Sequence, residues 1–266
     1  MNVITGLPRS GSTLLCNILN QNPSFWATST SILPQLCSVL VNNWSNSLEF
    51  KGELATDRDE AESRILRATR AFCDAWHERT DGRSIVFDKS RGWSHNILML
   101  RKIYPESKVI VLVRDLRDVF ASIEKQHRKN ALLDEANDPS EKTLYKRADI
   151  MFSPQGIIGR PIEGLSDIIQ RKLKTWVVRY EDLVRDPDKV TKGIYNYLEI
   201  DSYEHDFENI KNTATDPDAF YLYKFPHEGE GKIKKSEETW RDYIPEDIEK
   251  LIRERFEFFN RVFKIT

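Results

Sequence analysis

Val3-Ile4-Thr5-Gly6-Leu7-Pro8-Arg9-Ser10-Gly11-Ser12-Thr13-Leu14-Leu15 decides how this chain is read. The β-branched run Val3-Ile4-Thr5 is a short strand, and a stretch of helical period opens near residue 12. Between them lies a turn with a glycine at each end. Gly6 and Gly11 let the backbone turn tightly. The N–H groups of residues 10 to 13 can then converge on an anion, and the start of the helix adds partial positive charge. Ser10, Ser12 and Thr13 add hydroxyl donors, and Arg9 is the nearest fixed cation. A nucleoside-triphosphate loop of the form GxxxxGK[ST] would carry lysine after the second glycine, where this chain has Ser12.

Outward from this loop, short apolar runs alternate with helical stretches. The runs are Ser84-Ile85-Val86-Phe87, Val109 to Val113 and Thr175-Trp176-Val177-Val178. The helical candidates are 12–21, 32–44, 58–78, 94–103, 116–129, 187–198 and 246–263. Strands alternating with helices predict an α/β protein, a P-loop-like three-layer fold with a central parallel sheet flanked by helices. Asp186 before Pro187 reads as an N-cap followed by proline at the first helical position, and Pro245 repeats the logic at the last helix. There Ile248, Leu251, Ile252, Phe256, Phe259 and Phe263 recur at helical spacing and are expected to face a core. The stretches 129–164 and 213–236 lack regular patterning. They are expected to act as substrate-side covers on a single domain spanning residues 1–266.

The 266 residues carry 40 Lys+Arg against 42 Asp+Glu, a net charge of -2. No global positive field is available for wrapping nucleic acid, so any anion site must be local. The longest wholly apolar run is Val109 to Val113, far short of the roughly 20 residues that span a bilayer. No secretory leader is legible at Met1-Asn2-Val3, which makes the cytoplasm the expected compartment. Cys16, Cys37 and Cys73 sit singly, without CxxC spacing, as reduced core thiols would; no metal site is expected.

Two further strand ends carry chemistry. Val109-Ile110-Val111-Leu112-Val113-Arg114-Asp115 is a buried strand ending in a charge pair, with Ser122 eight residues past Arg114. If 116–129 is a helix, Ser122 lies two turns in and can reach back toward Arg114, and guanidinium plus hydroxyl makes a phosphate clamp. The next strand runs into Arg179-Tyr180-Glu181-Asp182-Leu183. Tyr180 offers a flat apolar face to a base.

These stretches resemble the motifs of sulfotransferases that use 3′-phosphoadenosine 5′-phosphosulfate (PAPS). Gly6 to Leu15 is similar to the family's 5′-phosphosulfate loop, especially in bacterial members and in the tyrosylprotein branch with its PRSGTT loop. Arg114 and Ser122 resemble the 3′-phosphate motif, and Tyr180 stands in an RYEDL segment near the adenine. The matches run in family order from residue 6 to residue 187. The resemblance implies sulfuryl transfer from PAPS to a small-molecule or carrier-bound hydroxyl acceptor, releasing PAP and demanding no metal. It implies that Lys89, in Phe87-Asp88-Lys89-Ser90-Arg91, stabilises the bridging oxygen, and that Lys232, with Lys234 and Lys235, faces the 3′-phosphate.

The general base does not transfer from the family. The glutamate of the tyrosylprotein branch has no counterpart in Ala27-Thr28-Ser29-Thr30-Ser31, and the histidine of the cytosolic branch is replaced by Arg91. By chemistry the candidates are His227, in a glycine-bearing loop, then Asp88, then His95. His77, His127 and His205 read as surface or satisfied helical positions. Two other functions stay open: an ATP-dependent P-loop kinase, against which Ser12 stands, and a nucleotide-binding interaction module without catalysis.

Overall fold

In the computed structural model, strand β1 (Asn2–Gly6) lies at the centre of a five-stranded sheet. Its neighbours are β3 (Ile85–Lys89) and β4 (Val109–Val113); β2 (Phe25–Thr30) and β5 (Trp176–Arg179) form the edges, and every pairing is parallel. The structure describes residues 1–78, 80, 82–129, 143–214, 230–233 and 239–265. The chain first runs from β1 to the edge at β2 and returns inward through β3, then crosses to the other side of β1. That reversal opens a crevice at the carboxyl ends of the central strands, where open α/β sheets hold ligands.

The three layers follow from the alternation of side chains along a strand. Val109, Val111 and Val113 of β4 enter one core, while Ile110 and Leu112 enter the other. On the second face pack α1 (Ser12–Leu19), α10 (Tyr180–Arg185) and α11 (Pro187–Leu198), through Leu15, Ile18, Leu183 and Ile194. The first face is covered by α2 (Leu33–Asn46), α4 (Arg58–Trp76), α5 (Gly92–His95), α6 (Ile97–Ile103) and α7 (Leu116–Lys129). Between α2 and α4, α3 (Leu48–Thr56) has no buried residue. At Asp186 the expected cap is present: its carboxylate accepts from the N–H of Lys189, with Pro187 in the first turn.

The expectation that 129–164 lacks regular structure is corrected. It contains α8 (Leu144–Met151) and the start of α9 (Gly159–Gln170). The glycines there mark close approach: a Cβ on Gly159 would lie 2.0 Å from the carbonyl oxygen of Ser153, and one on Gly156 2.2 Å from that of Ile150. Arg147 ties α8 to α7 by a bidentate pair with Glu124, at 2.7 Å on both oxygens and buried.

Strand β2 was hidden by its polar sequence, because an edge strand needs no continuous apolar run. Asn20 occupies its outer side, accepting from the N–H of Ala27 and donating to the Ala27 carbonyl. The last helical stretch breaks at Phe256 into α12 (Glu246–Arg255) and α13 (Glu257–Phe263). Ile248, Ile252, Phe259 and Phe263 face the core, whereas Leu251 is exposed. All three cysteines are buried and unbridged, but Cys37 and Cys73 do not sit singly: their sulfurs are 3.3 Å apart.

Candidate active site

The loop after β1 is held open by its backbone. Gly6 has φ 144, and a Cβ there would lie 2.0 Å from the Leu112 carbonyl oxygen, so only glycine lets the chain leave the sheet beside β4. Arg9 (φ 55) and Gly11 (φ 83) are left-handed, and that alternation turns successive N–H groups inward as an anion nest. Gly11 precedes α1 without a side-chain cap, and no acidic residue lies in the first turn. The positive end of α1 is left for a ligand. The Ser10 hydroxyl donates to the Leu7 carbonyl at 2.7 Å and is buried. Ser10 therefore braces the loop from inside and does not line the cavity, which corrects the expectation that its hydroxyl is a donor to the anion.

A cavity of about 670 Å³ opens over this loop, and into it the chain brings Arg9, Gly11, Ser12, Thr13, Arg114, Ser122, Tyr180 and Lys232. From the end of β4, Arg114 donates through Nη1 to the Arg9 carbonyl at 2.9 Å, and its guanidinium lies 4.3 Å from the centre of the Tyr180 ring. Arg9 Nε donates in turn to Ser122 Oγ at 3.2 Å. The Arg114 Nε is buried without a hydrogen-bond partner among the described residues. An orphaned guanidinium donor beside a nest of N–H groups fits a polyanionic ligand, and the Tyr180 face fits a base. Lys232 sits where Gly231 pairs with Ile210, and its ammonium is 2.7 Å from Glu208.

Lys89 approaches the same loop from β3. Its side chain is buried, and Nζ donates to Thr13 Oγ1 at 3.0 Å. The cation absent from position 12 is thus delivered by a neighbouring strand. Asp88, the next residue back, points to the opposite face, as strand geometry requires. It is fully buried, 3.0 Å from His77 Nε2 and accepting from Trp93 Nε1 at 2.6 Å. Both oxygens are engaged away from the loop, which corrects the expectation that Asp88 stands beside Lys89 as a base. His77 and His205 are buried rather than superficial.

A second cavity, of about 500 Å³, begins where Lys89 ends. Its walls include Thr30, Ser31, Ser90, Arg91, His95 and Arg160. Burial first, and then the charge of Arg160, hold the His95 imidazole below its ordinary pKa. His227, Lys234 and Lys235 lie outside the described residues. Arg160 was missed because it falls in a stretch read as irregular; the spacing of Gly156 and Gly159, read as close approach, would have signalled the turn that presents it.

The profile of the Sulfotransferase family matches residues 3–205. The chain belongs to that family. Solved sulfotransferases share its fold. A sulfotransferase domain from the Synechococcus PCC 7002 olefin synthase aligns with TM-score 0.54 and 19% identity, covering 97% of this chain and 94% of that one. A sulfotransferase domain from the curacin biosynthetic pathway gives 0.55 and 16%, covering 97% of each. Mouse sulfotransferase SULT7A1, complexed with PAP, gives 0.55 and 15%, covering 97% and 83%. No curated protein matches in sequence. The kinase alternative is not favoured. Asp115, at the strand end where a metal carboxylate would stand, is instead gripped by Arg117, through Nε at 2.9 Å and Nη2 at 2.5 Å. No helix among the described residues is long and apolar enough to cross a membrane.

Proposed function

We propose that this family member transfers the sulfuryl group of PAPS to a hydroxyl acceptor and releases PAP. The observation that carries the reading is the convergence of Arg9, Arg114, Ser122 and residues 11 to 13 on one cavity, with Lys89 bonded to Thr13 of that wall. PAPS, when bound, supplies an activated sulfuryl group on a phosphate leaving group. The loop amides and the α1 terminus would hold its 5′ end, Arg114 and Ser122 its 3′-phosphate with Lys232 alongside, and Tyr180 its base. The acceptor oxygen forms a bond to sulfur, the bridging S–O bond breaks with its electron pair going to the phosphate, and the acceptor proton goes to a base. Lys89 would neutralise charge growing on the bridging oxygen, an interaction stronger in the transition state than before it.

Among described residues, His95 is the titratable base on the acceptor side, and a depressed pKa keeps it neutral near pH 7. His227 is the second candidate, on its place in a glycine-bearing loop. The turn at 155–157 walls the acceptor cavity, which supports 129–164 as a substrate-side segment of a single domain; 213–236 is proposed as the second. The acceptor hydroxyl is proposed to belong to a small or carrier-bound molecule.

Thermal shifts with PAP, ADP and ATP, each with and without magnesium, test the reading. PAP should raise the melting temperature most, without magnesium, since the shift reports affinity directly. Equal shifts for PAP and ADP, or dependence on magnesium, would reject it.

A further inference from the structure

We propose that Asn212 reads the nucleobase: its side-chain amide donates a hydrogen bond to a ring nitrogen of the base, and Asn17, from inside α1, fixes the amide in the orientation that makes it a donor. The inference rests on the PAPS reading and deepens it by assigning the polar edge of the base to a residue.

The orientation follows from donors that cannot be reversed. Asn17 is buried in α1, and its Oδ1 accepts from the backbone N–H of Thr213 at 3.0 Å and from that of Ala214 at 2.8 Å. A backbone N–H only donates, so the Asn17 oxygen must face residues 213 and 214, and its nitrogen is left for another partner. That Nδ2 donates to Asn212 Oδ1 at 3.3 Å. The Asn212 oxygen is thereby engaged as an acceptor, and the nitrogen of the same planar amide has no hydrogen bond among the described residues. Asn212 is exposed, yet turning its amide over would set one Nδ2 against the other, donor against donor. The chain on either side is also held. Ile210 and Gly231 exchange backbone hydrogen bonds at 2.9 and 2.8 Å, and Asn20 Nδ2 donates to Thr213 Oγ1 at 3.2 Å.

The surroundings name the ligand group. Asn212 is the side-chain amide in the lining of the cavity over the phosphate loop, where the charged lining groups are Arg9, Arg114, Lys232 and Glu230 and the aliphatic ones Leu14 and Ile233. Leu14 precedes Asn17 by three positions, which makes the two neighbours on the surface of α1. Asn212, bonded to Asn17, therefore stands on the aliphatic side. A phosphate is matched by the guanidinium groups and loop amides. A flat base, apolar on its faces and polar only along its edge, is matched by aliphatic walls with one well-placed neutral donor. On a purine the partner of an N–H donor is a ring nitrogen, as in the pairing of asparagine with adenine.

Calorimetric titration of PAP and of its 1-deaza, 3-deaza and 7-deaza analogues, in each of which one ring nitrogen is replaced by C–H, tests the inference. In the parent at least one analogue should bind about threefold to tenfold more weakly than PAP, the range for one lost hydrogen bond between neutral groups. In Asn212→Ala, PAP should weaken by a similar factor and that analogue should then bind as PAP does. Asn212→Asp, which still accepts from Asn17 but offers no donor, should abolish the same difference, and its added charge cancels in the ratio. Asn17→Asp keeps an acceptor for the Thr213 and Ala214 amides but cannot donate, so the Asn212 amide turns its nitrogen toward α1 and the difference should vanish with Asn212 intact. A merely structural role for Asn17 would lower the melting temperature without moving that ratio. Should Asn17→Asp fail to fold, Asn17→Ala, which buries no charge and leaves the Asn212 amide untethered, should lose part of the difference. No analogue weaker than PAP in the parent, a difference that persists in the Asn212 variants, or one that survives whole in a folded Asn17 variant would overturn the inference. A parent that does not bind PAP rejects the nucleotide reading separately, whereas PAP binding without discrimination among the analogues rejects this inference alone.

Discussion

Lys89 and Thr13, 76 positions apart, meet at 3.0 Å where β3 ends against the loop after β1. The ammonium is fixed by a hydroxyl on the first turn of α1, so it faces the same point as the loop amides. Lys89→Ala removes a charge needed mainly as the bridging bond breaks. The expected result is a loss of about 10²–10³ in kcat with a much smaller change in PAP affinity. Single-turnover rates and PAP titration of the same variant separate the two. If PAP affinity alone falls, Lys89 is a phosphate ligand.

Arg114 is held in place by neighbours that do not neutralise it: the Arg9 carbonyl and the Tyr180 ring. Its buried Nε has no hydrogen-bond partner among the described residues. Arg114→Ala should weaken PAP by about 1.5–3 kcal/mol, the range for a hydrogen bond to a charged group, and leave ADP almost unchanged. Calorimetry with both nucleotides measures the difference; a loss shared by both would detach Arg114 from the 3′-phosphate.

Gly11→Ala meets two obstacles at once. The left-handed φ of 83 strains an L-residue, and the new Cβ would lie 2.8 Å from a ring carbon of Tyr180. Backbone strain alone costs about 1–3 kcal/mol, and relief requires moving the ring against which Arg114 stacks. The variant should melt lower and lose PAP-induced stabilisation together, whereas Gly52→Ala, with open space at its Cβ, should do neither. Melting curves with and without PAP read both effects.

What the sequence made legible were features carried by local chemistry. Gly6 and Gly11 announced a tight loop, β4 announced a strand buried on both faces, and Arg114 with Ser122 announced a pair that the fold brings into one cavity. What escaped it depends on neighbours far away in the chain. Trp26-Ala27-Thr28 forms an edge strand because β3 supplies its partner and Asn20 seals the other side. Helices α8 and α9 were masked by Pro154, Gly156 and Gly159, whose turn allows backbone contact. Asp88 looked catalytic beside Lys89 because adjacency in sequence conceals that strand neighbours face opposite ways.

For Asp88 the expected phenotype is structural. Its carboxylate accepts from Trp93 and pairs with His77 inside the core, so Asp88→Ala leaves buried polar groups unsatisfied, at about 1–3 kcal/mol for each. Asp88→Asn should be milder, since its amide oxygen can still accept from Trp93. Chemical denaturation should show the losses, while the acid limb of the pH–rate profile stays in place. A stable Asp88→Asn protein without that limb would return Asp88 to catalysis.

Histidine titration should separate activity from stability. Both His95 and His205 are held below the ordinary value of 6.5, His95 by burial and Arg160, His205 by burial foremost. At His205, Asn22 donates to the Tyr195 hydroxyl, which lies 3.1 Å from Nε2. A folded pKa below the unfolded one means that the unfolded chain binds the extra proton first as pH falls. The contribution of His205 to stability is therefore complete above about pH 6.5 and is lost progressively as pH drops toward the folded value. His205→Gln should flatten that part of the curve of unfolding free energy against pH. His95, lowered in the same direction, adds to that slope, so His95→Gln should flatten the stability curve as well, but it alone of the two should remove the acid limb of kcat/KM, whose midpoint in the parent lies below 6.5. An acid limb that survives in His95→Gln and vanishes in His227→Gln would move the base to His227.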